Sequence, residues 1–410
     1  MVINTENSAP ILDKDNYVNC TVSVFNADNE FCFSGEGAGI RGRGNTTWEM
    51  PKKPYKLKFN KKIDLFGNGK ATKWTLIANY SDPSLMRNYL AYSIGAELDN
   101  ISSTTTKVQF VELYVNDSYD GVYLICEQNE VGETRVDIED DFAIAQKPEN
   151  MGFLLEMDGR ASAESKQAKD FFTLDDSNYG NKFFATGQSR DYAIQSPEIK
   201  DAGDNWDLYY NYIRNYIHQC MLSVSGSDYE KVKELIDVKS FADAYIVHEL
   251  FNCKDVGQSS FFIFKKENDK LYCGPIWDFD TSSGNCNFND TSYQEKDSSD
   301  YDCLWAKELN IWYYYLLQHT EFQQLVSEKL KGYKQKIVDS INNSIEKVSN
   351  LSSSFLRNFK RWDILGKYVW PNSDDLVAIT TWEGHVEYLK EWLLNSLNYM
   401  ISIYCPDISV

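Results

Sequence analysis

Four histidines in 410 residues, and nine cysteines without a CxxC or comparable spacing, leave little from which to build a zinc site or a His-based triad. The odd cysteine count also means that at least one thiol is unpaired in a monomer, the expected oligomeric state. No apolar run approaches the ~18 residues a membrane helix needs, so no membrane span is expected. Positive charge is scarce too. Lys and Arg number 41 against 61 Asp and Glu, and the formal charge is −20. That balance argues against nucleic acid or an anionic membrane as the main partner and favours a protein substrate with basic segments. The chain opens on Met1-Val-Ile-Asn without the regions of a secretory signal, so the expectation is either a cytosolic protein or one that has lost an export signal. With 42% apolar and 14% aromatic residues the chain is globular, and a prior of one domain per ~150 residues suggests two or three lobes.

What the chain does hold is a dense stretch from His248 to Asp280. Its pattern predicts a helix from about Ser240 to Cys253, a loop carrying Asp255 and a strand over Phe261–Lys265. A turn at Glu267–Lys270 and a second short strand ending at Trp277 follow. The carboxylates of Asp255 and Asp278 then sit at neighbouring ends of a hairpin. Phosphoryl transfer needs two such acids, one to orient or deprotonate the attacking hydroxyl and one to hold the metal that neutralises the phosphates. Protein kinases use an Asp, an Asn five residues later, a hairpin, and Asp-Phe-Gly. Here Asp255 is followed by Ser260, and the last motif becomes Asp278-Phe279-Asp280. Taken alone, the pattern fits two hairpin turns with solvated acids equally well.

Upstream, residues 17–25 and 30–34 alternate as strands around a turn at Asn26–Asn29. Five glycines between Gly35 and Gly44 permit close approach of backbone to a ligand, and Arg41 and Arg43 suit phosphate. A hairpin with flexible tips has the same composition. On the strand that follows, Tyr55, Leu57 and Phe59 face the core, while Lys56 and Lys58 face the glycine-rich side or, on an edge strand, solvent. Ser81-Asp82-Pro83 predicts a helix start, with Leu85, Tyr89, Leu90 and Ile94 on one face. Strands at Val108–Val115 and Gly121–Cys126 complete a small lobe of five strands and one helix. Glu127 ends it, where kinases contact adenine and ribose.

Residues 152–158 and 193–198 read as short strands, and helices are expected from Trp206 to Cys220 and from Tyr229 to Cys253. Thr281–Tyr301 is a long polar loop in the position of a kinase activation segment. Phe322, Val326, Leu330, Tyr333, Ile337 and Ile341 step at helical spacing, as do Val386, Leu389, Leu393, Leu397 and Met400. These are core stripes of a helical second lobe.

Six motifs in order carry a resemblance: Arg41-Gly-Arg-Gly-Asn-Thr-Thr-Trp48, Pro51-Lys-Lys-Pro-Tyr55, Met86-Arg-Asn88, Gly121-Val-Tyr-Leu with Glu127, Gly152-Phe-Leu-Leu-Glu156 and Gly274-Pro-Ile-Trp-Asp-Phe-Asp280. Over about residues 10 to 400 the chain resembles the CotH kinase family, named for a spore-coat protein. The resemblance implies an α+β, atypical protein-kinase-like fold of two lobes: a β-rich N-lobe (1–130) and a mostly helical C-lobe (131–410). It implies binding of ATP with Mg²⁺ or Mn²⁺ and phosphorylation of Ser/Thr on secreted, cell-surface or coat proteins. By the same resemblance Asp255 is the catalytic aspartate, Asp278 holds metal, and Arg43 and Gly44 fall in the phosphate loop, with Arg41, Gly42 and Asn45 beside them expected to bind the nucleotide. Lys53 and Lys58 match the lysines that follow, with Lys58 the expected phosphate contact. Ser260 replaces an Asn, so that either one metal suffices or Asp280 takes the second role. Glu156 matches a family position to which no role is assigned. The rival class is a non-catalytic scaffold or adhesin that keeps the kinase shape.

Overall fold

The computed structural model describes residues 1–410 apart from 27–30, 68, 165–166, 168, 175–190, 287–298 and 408–410. The expected turn at Asn26–Asn29 and most of the 281–301 loop therefore lie outside the described residues. The first third of the chain closes into a barrel of seven strands. These are β1 (Val2–Thr5), β2 (Val18–Phe25), β3 (Phe31–Gly42), β4 (Tyr55–Asp64), β5 (Lys70–Ile77), β6 (Val108–Val115) and β7 (Ser118–Glu127). Their order is β1-β2-β3-β4-β5-β7-β6, and β1 runs parallel to β6 to close the ring. Alternate residues fill the barrel: Val22, Ile40, Leu57, Phe59, Trp74, Leu76, Leu113, Tyr123 and Ile125 are buried in one cluster.

Two of these strands escape the sequence reading. β1 is four residues long, too short to alternate, and β5 opens on the polar Lys70-Ala-Thr-Lys73 before its apolar end. A seven-stranded barrel is not the usual kinase N-lobe. The fold expectation thus holds in coarse form, a β-rich N-terminal and a helical C-terminal region, and its five-strand detail is corrected. The glycine-rich stretch is likewise mostly strand. Gly42 is glycine for packing, since a Cβ there would lie 2.4 Å from the Trp48 ring on the short helix α1 (Thr46–Glu49).

The helix expected at Pro83 begins later, as α2 (Arg87–Gly95). Before it, the Asp82 carboxylate accepts the N–H groups of Ser84 (3.0 Å) and Arg87 (2.9 Å), and Leu85 takes φ +60°. This turn spends the residues that would have been the first helical turn. α2 is buried almost all round and belongs to the core of the C-terminal half, not to the barrel interior.

That core surrounds a second antiparallel sheet of β8 (Phe153–Met157), β9 (Phe171–Thr173), β10 (Asp191–Ser196), β11 (Phe261–Lys265) and β12 (Leu271–Cys273), in the order β12-β11-β8-β10-β9. β12 stops at Cys273 rather than Trp277, because Pro275 has no N–H to extend the ladder. Short helices α3 (Phe142–Ala145) and α4 (Ala161–Glu164) precede and follow β8 along the chain. Then come α5 (Trp206–Val224), α6 (Tyr229–Leu235) and α7 (Val238–Leu250). The expected single helix from Tyr229 to Cys253 is divided at Asp237, whose carboxylate caps α7 by accepting from Ser240 N–H at 2.7 Å.

α8 (Trp305–Leu309), α9 (Ile311–Leu316), α10 (Thr320–Ser349), α11 (Ser352–Arg361), α12 (Asp374–Ala378) and α13 (Trp382–Tyr404) complete the chain. The predicted stripes of α10 and α13 are buried as expected. α11 returns to the barrel: Asn358 accepts from Val122 N–H and from the buried Lys52 ammonium, each at 3.0 Å, and Trp362 donates to Asp120 O at 2.7 Å. None of the nine cysteines is in a disulfide, and among the described residues no helix is long and apolar enough to cross a membrane.

Candidate active site

Asp255 follows α7 on a single 3₁₀ turn, Asp255–Gly257, that leads into β11. Gly257 lets this turn press on α8, since a Cβ there would lie 2.3 Å from Leu309 O. Thr281 donates to Asp255 Oδ2 at 3.2 Å. Burial, and then the neighbouring charge of Asp278, raise the Asp255 carboxyl above its ordinary range. Asp280 is buried and raised further by burial, Asp278, Asp255 and Asp82.

Asp278 stands at φ +66° and Ser260 at φ +59°, both left-handed, and Ser260 Oγ reaches Asp278 Oδ2 at 3.4 Å. What holds this turn comes from α2 and α7. Phe279 N–H donates to Asn88 Oδ1 at 2.8 Å, and its ring stacks on His248, 5.6 Å between centroids. Arg87 donates to the carbonyls of Ser282 (2.9 Å) and Ser283 (3.0 Å). The Met86-Arg87-Asn88 motif is thus a clasp on the loop that carries the aspartates, a role the sequence alone did not reveal.

Barrel and C-terminal half enclose a cleft of about 1370 Å³. Arg41, Gly42, Arg43, Gly44 and Asn45 line it from the barrel, and Asp255, Ser260, Asp278 and Asp280 from the C-terminal half, with the Arg43 guanidinium 5.7 Å over the Trp277 ring next to Asp278. Three expected residues are not there. Lys58 is exposed and absent from the lining, whereas Lys56, on the same face of β4 but nearer its start, lines the cleft. Strand parity cannot separate the two lysines; position along the barrel does. Lys53 lies over the Trp48 ring, 5.1 Å away, and donates to Trp48 O. Glu127 is buried beside Arg135, and its neighbour Gln128 faces the cleft instead.

Cations predominate on the barrel side, where Asp15 joins Lys14, Arg41, Arg43 and Lys56, and carboxylates on the other, where Arg160 and Lys254 join Glu156, Asp158, Asp255, Asp278 and Asp280. Burial and the nearby Lys73, Arg41 and Arg43 push the Lys56 amine down to about 8, a crowd of cations short of anions. Glu156, also in the lining, is raised to about 8 by burial and by Asp158 and Asp278; Gln195 donates to its Oε2 at 2.8 Å. Both belong to the site. Glu156 was marked by its motif without a role, and Lys56 differs from Lys58 only by register.

His248 is a core residue rather than a catalytic one. Burial lowers its pKa to about 3, and its Nδ1 contacts Tyr313 OH at 2.8 Å. An unfolded histidine protonates near ~6.5, so the folded state loses stability as pH falls through that value. Between pH 6.5 and 5 the loss is about 2 kcal/mol, at ~1.4 kcal/mol per pH unit. Urea unfolding should show this slope reduced in His248→Phe, and an unchanged slope would remove His248 from the acid sensitivity.

A β-rich N-terminal region and a helical C-terminal region thus close on a cleft that gathers Arg41, Arg43 and Lys56 from the barrel and Asp255, Asp278 and Asp280 from the other half. The family model described as CotH kinase protein matches residues 40–400, nearly all of the chain, and the chain belongs to that family. No curated protein matches it.

Proposed function

We propose that the chain transfers the γ-phosphoryl group of ATP to Ser or Thr hydroxyls of secreted, cell-surface or spore-coat proteins. The observation that carries this reading is the pairing within one cleft of Arg41, Arg43 and Lys56 from the barrel with Asp255, Asp278 and Asp280 from the other half. Phosphoryl transfer consists largely of positioning and charge stabilisation, and these are the two charges it requires. The basic wall holds the phosphates, with the adenine end toward Ile77 and Gln128.

The carboxylate wall suits Mg²⁺ or Mn²⁺, whose preferred ligands are oxygens. Among the described residues no three His, Cys, Asp or Glu side chains form a ready-made metal site. The ion would be held by one or two carboxylates, Asp278 and Asp280, together with substrate phosphates. Bound there, the ion neutralises charge on the phosphates. Asp255 accepts the proton of the attacking hydroxyl as the new O–P bond forms and the bond to ADP breaks. A carboxyl raised toward neutrality is suited to that task.

Thermal shift with ATP and Mn²⁺, beside transfer from radiolabelled ATP, tests the reading. At 100 times Kd the ligand adds about 2.7 kcal/mol of stability. A scaffold that has lost the site shows neither shift nor transfer. Ser260 in place of Asn favours that second reading. Lys56→Met is expected to weaken ATP binding by roughly 10- to 100-fold, the worth of one charge-assisted hydrogen bond. Lys58→Met should leave it within about 2-fold. Equal losses in the two variants would return the phosphate contact to Lys58.

A further inference from the structure

The C-terminal end of the cleft holds two buried donors that the reading above does not use. Lys254 is 6% exposed, and among the described residues its ammonium has no hydrogen-bond acceptor. It lies 3.4 Å from the centre of the Trp305 ring. The Trp305 indole N–H is also buried, and among the described residues it has no partner beyond the weakly accepting sulfur of Cys303. Both side chains line the same cleft as Asp255. Glu249, the carboxylate whose charge Lys254 senses, is already engaged: it accepts from Ala306 N–H at 3.1 Å and from Lys307 N–H at 2.9 Å. Burial pushes the Lys254 amine down to about 7, so a donor held without an acceptor beside an open cleft becomes fully charged only when an anionic group arrives with a ligand.

Nucleotide phosphates already face three cations on the barrel wall, and Lys254 belongs to the other wall. It directly precedes Asp255, the proposed acceptor of the hydroxyl proton. Resting on the phosphotransfer reading, we propose that Lys254 and Trp305 form an acceptor subsite for a carboxylate side chain one or two residues from the Ser or Thr hydroxyl. An extended peptide advances about 3.3 Å per residue, a spacing suited to adjacent side chains on one loop. The chain's overall charge of −20 does not outweigh this, because fields from distant charges are screened beyond ~8 Å at physiological salt.

The test uses paired labelled peptides that differ only in Glu or Gln beside one Ser. Binding is measured by fluorescence anisotropy, and transfer by radiolabelled ATP. The wild type should bind the Glu peptide at least ~10-fold more tightly, as expected of a desolvated charge pair. Lys254→Met should abolish the difference without altering the Kd for ATP, and Lys254→Arg, which keeps the charge, should retain part of it. Equal binding of the two peptides by the wild type overturns the subsite, as does a Glu preference that survives in Lys254→Met. A Glu preference in binding with transfer to neither peptide supports the subsite and overturns the phosphotransfer reading. Transfer without a Glu preference does the reverse.

Discussion

Asp278→Asn should lower phosphoryl transfer by about 10³-fold, the equivalent of ~4 kcal/mol from a lost metal-holding charge, and should make the metal-free protein more stable. The second half follows from the first. Asp278 is a cause of the raised carboxyls of Asp255, Asp280 and Glu156, so in the absence of a cation these acids oppose one another. Removing one charge relieves the others, a trade of stability against activity. Asp255→Asn should behave differently. An amide oxygen can still accept from Thr281, so nucleotide affinity should stay within about 3-fold while turnover collapses, because the role proposed for that carboxylate lies mainly in the transition state. ATP–Mn²⁺ titration beside single-turnover transfer separates the two. Loss of nucleotide binding in Asp255→Asn with binding kept in Asp278→Asn would reverse the roles.

Much of this site was legible because its residues sit in local motifs. Asp255 and Asp278 are separated by a hairpin whose β11 is apolar at four of its five positions, and the amphipathic stripes of α10 and α13 repeat over many turns. What stayed hidden depends on contacts distant in sequence. Lys56 and Lys58 share a strand face, and only the closure of the barrel decides which one meets the cleft. Glu127 stands at the expected adenine and ribose position, but Arg135, eight residues on, pairs with it, and Gln128 lines the cleft instead. β1 finds its partners Cys20–Ser23 and Tyr114–Val115 at the two edges it joins, a pairing no local pattern announces. Pro83 signalled a helix start correctly in kind and four residues too early, because Asp82 used its carboxylate on a turn.

Arg87→Met should cost about 3–5 kcal/mol of stability, the range for removing one partner of a buried ion pair. Arg87 and Asp82 are both fully buried and paired through Nη1 and Oδ1 at 2.5 Å. The variant strands the Asp82 charge in the core and leaves the Ser282 and Ser283 carbonyls without their donor. Lysine is no substitute, since one ammonium cannot span Asp82, Ser282 and Ser283 as the planar guanidinium does, so Arg87→Lys should recover less than half of the loss. Asp82→Asn together with Arg87→Met should cost less than the two single changes added, because the double variant no longer buries an unpaired charge. The carbonyls Arg87 holds follow Asp280 by two and three residues, so transfer should also fall in a protein that remains folded, whereas Lys336, half-exposed beside Asp99, should be removable at under ~1 kcal/mol. Urea unfolding of the five variants, the Asp82→Asn single change and the Lys336 control included, with transfer rates at low temperature makes the measurement. An Arg87→Met protein within ~0.5 kcal/mol of wild type, as for an ordinary surface change, would show that the clasp does not hold the aspartate loop.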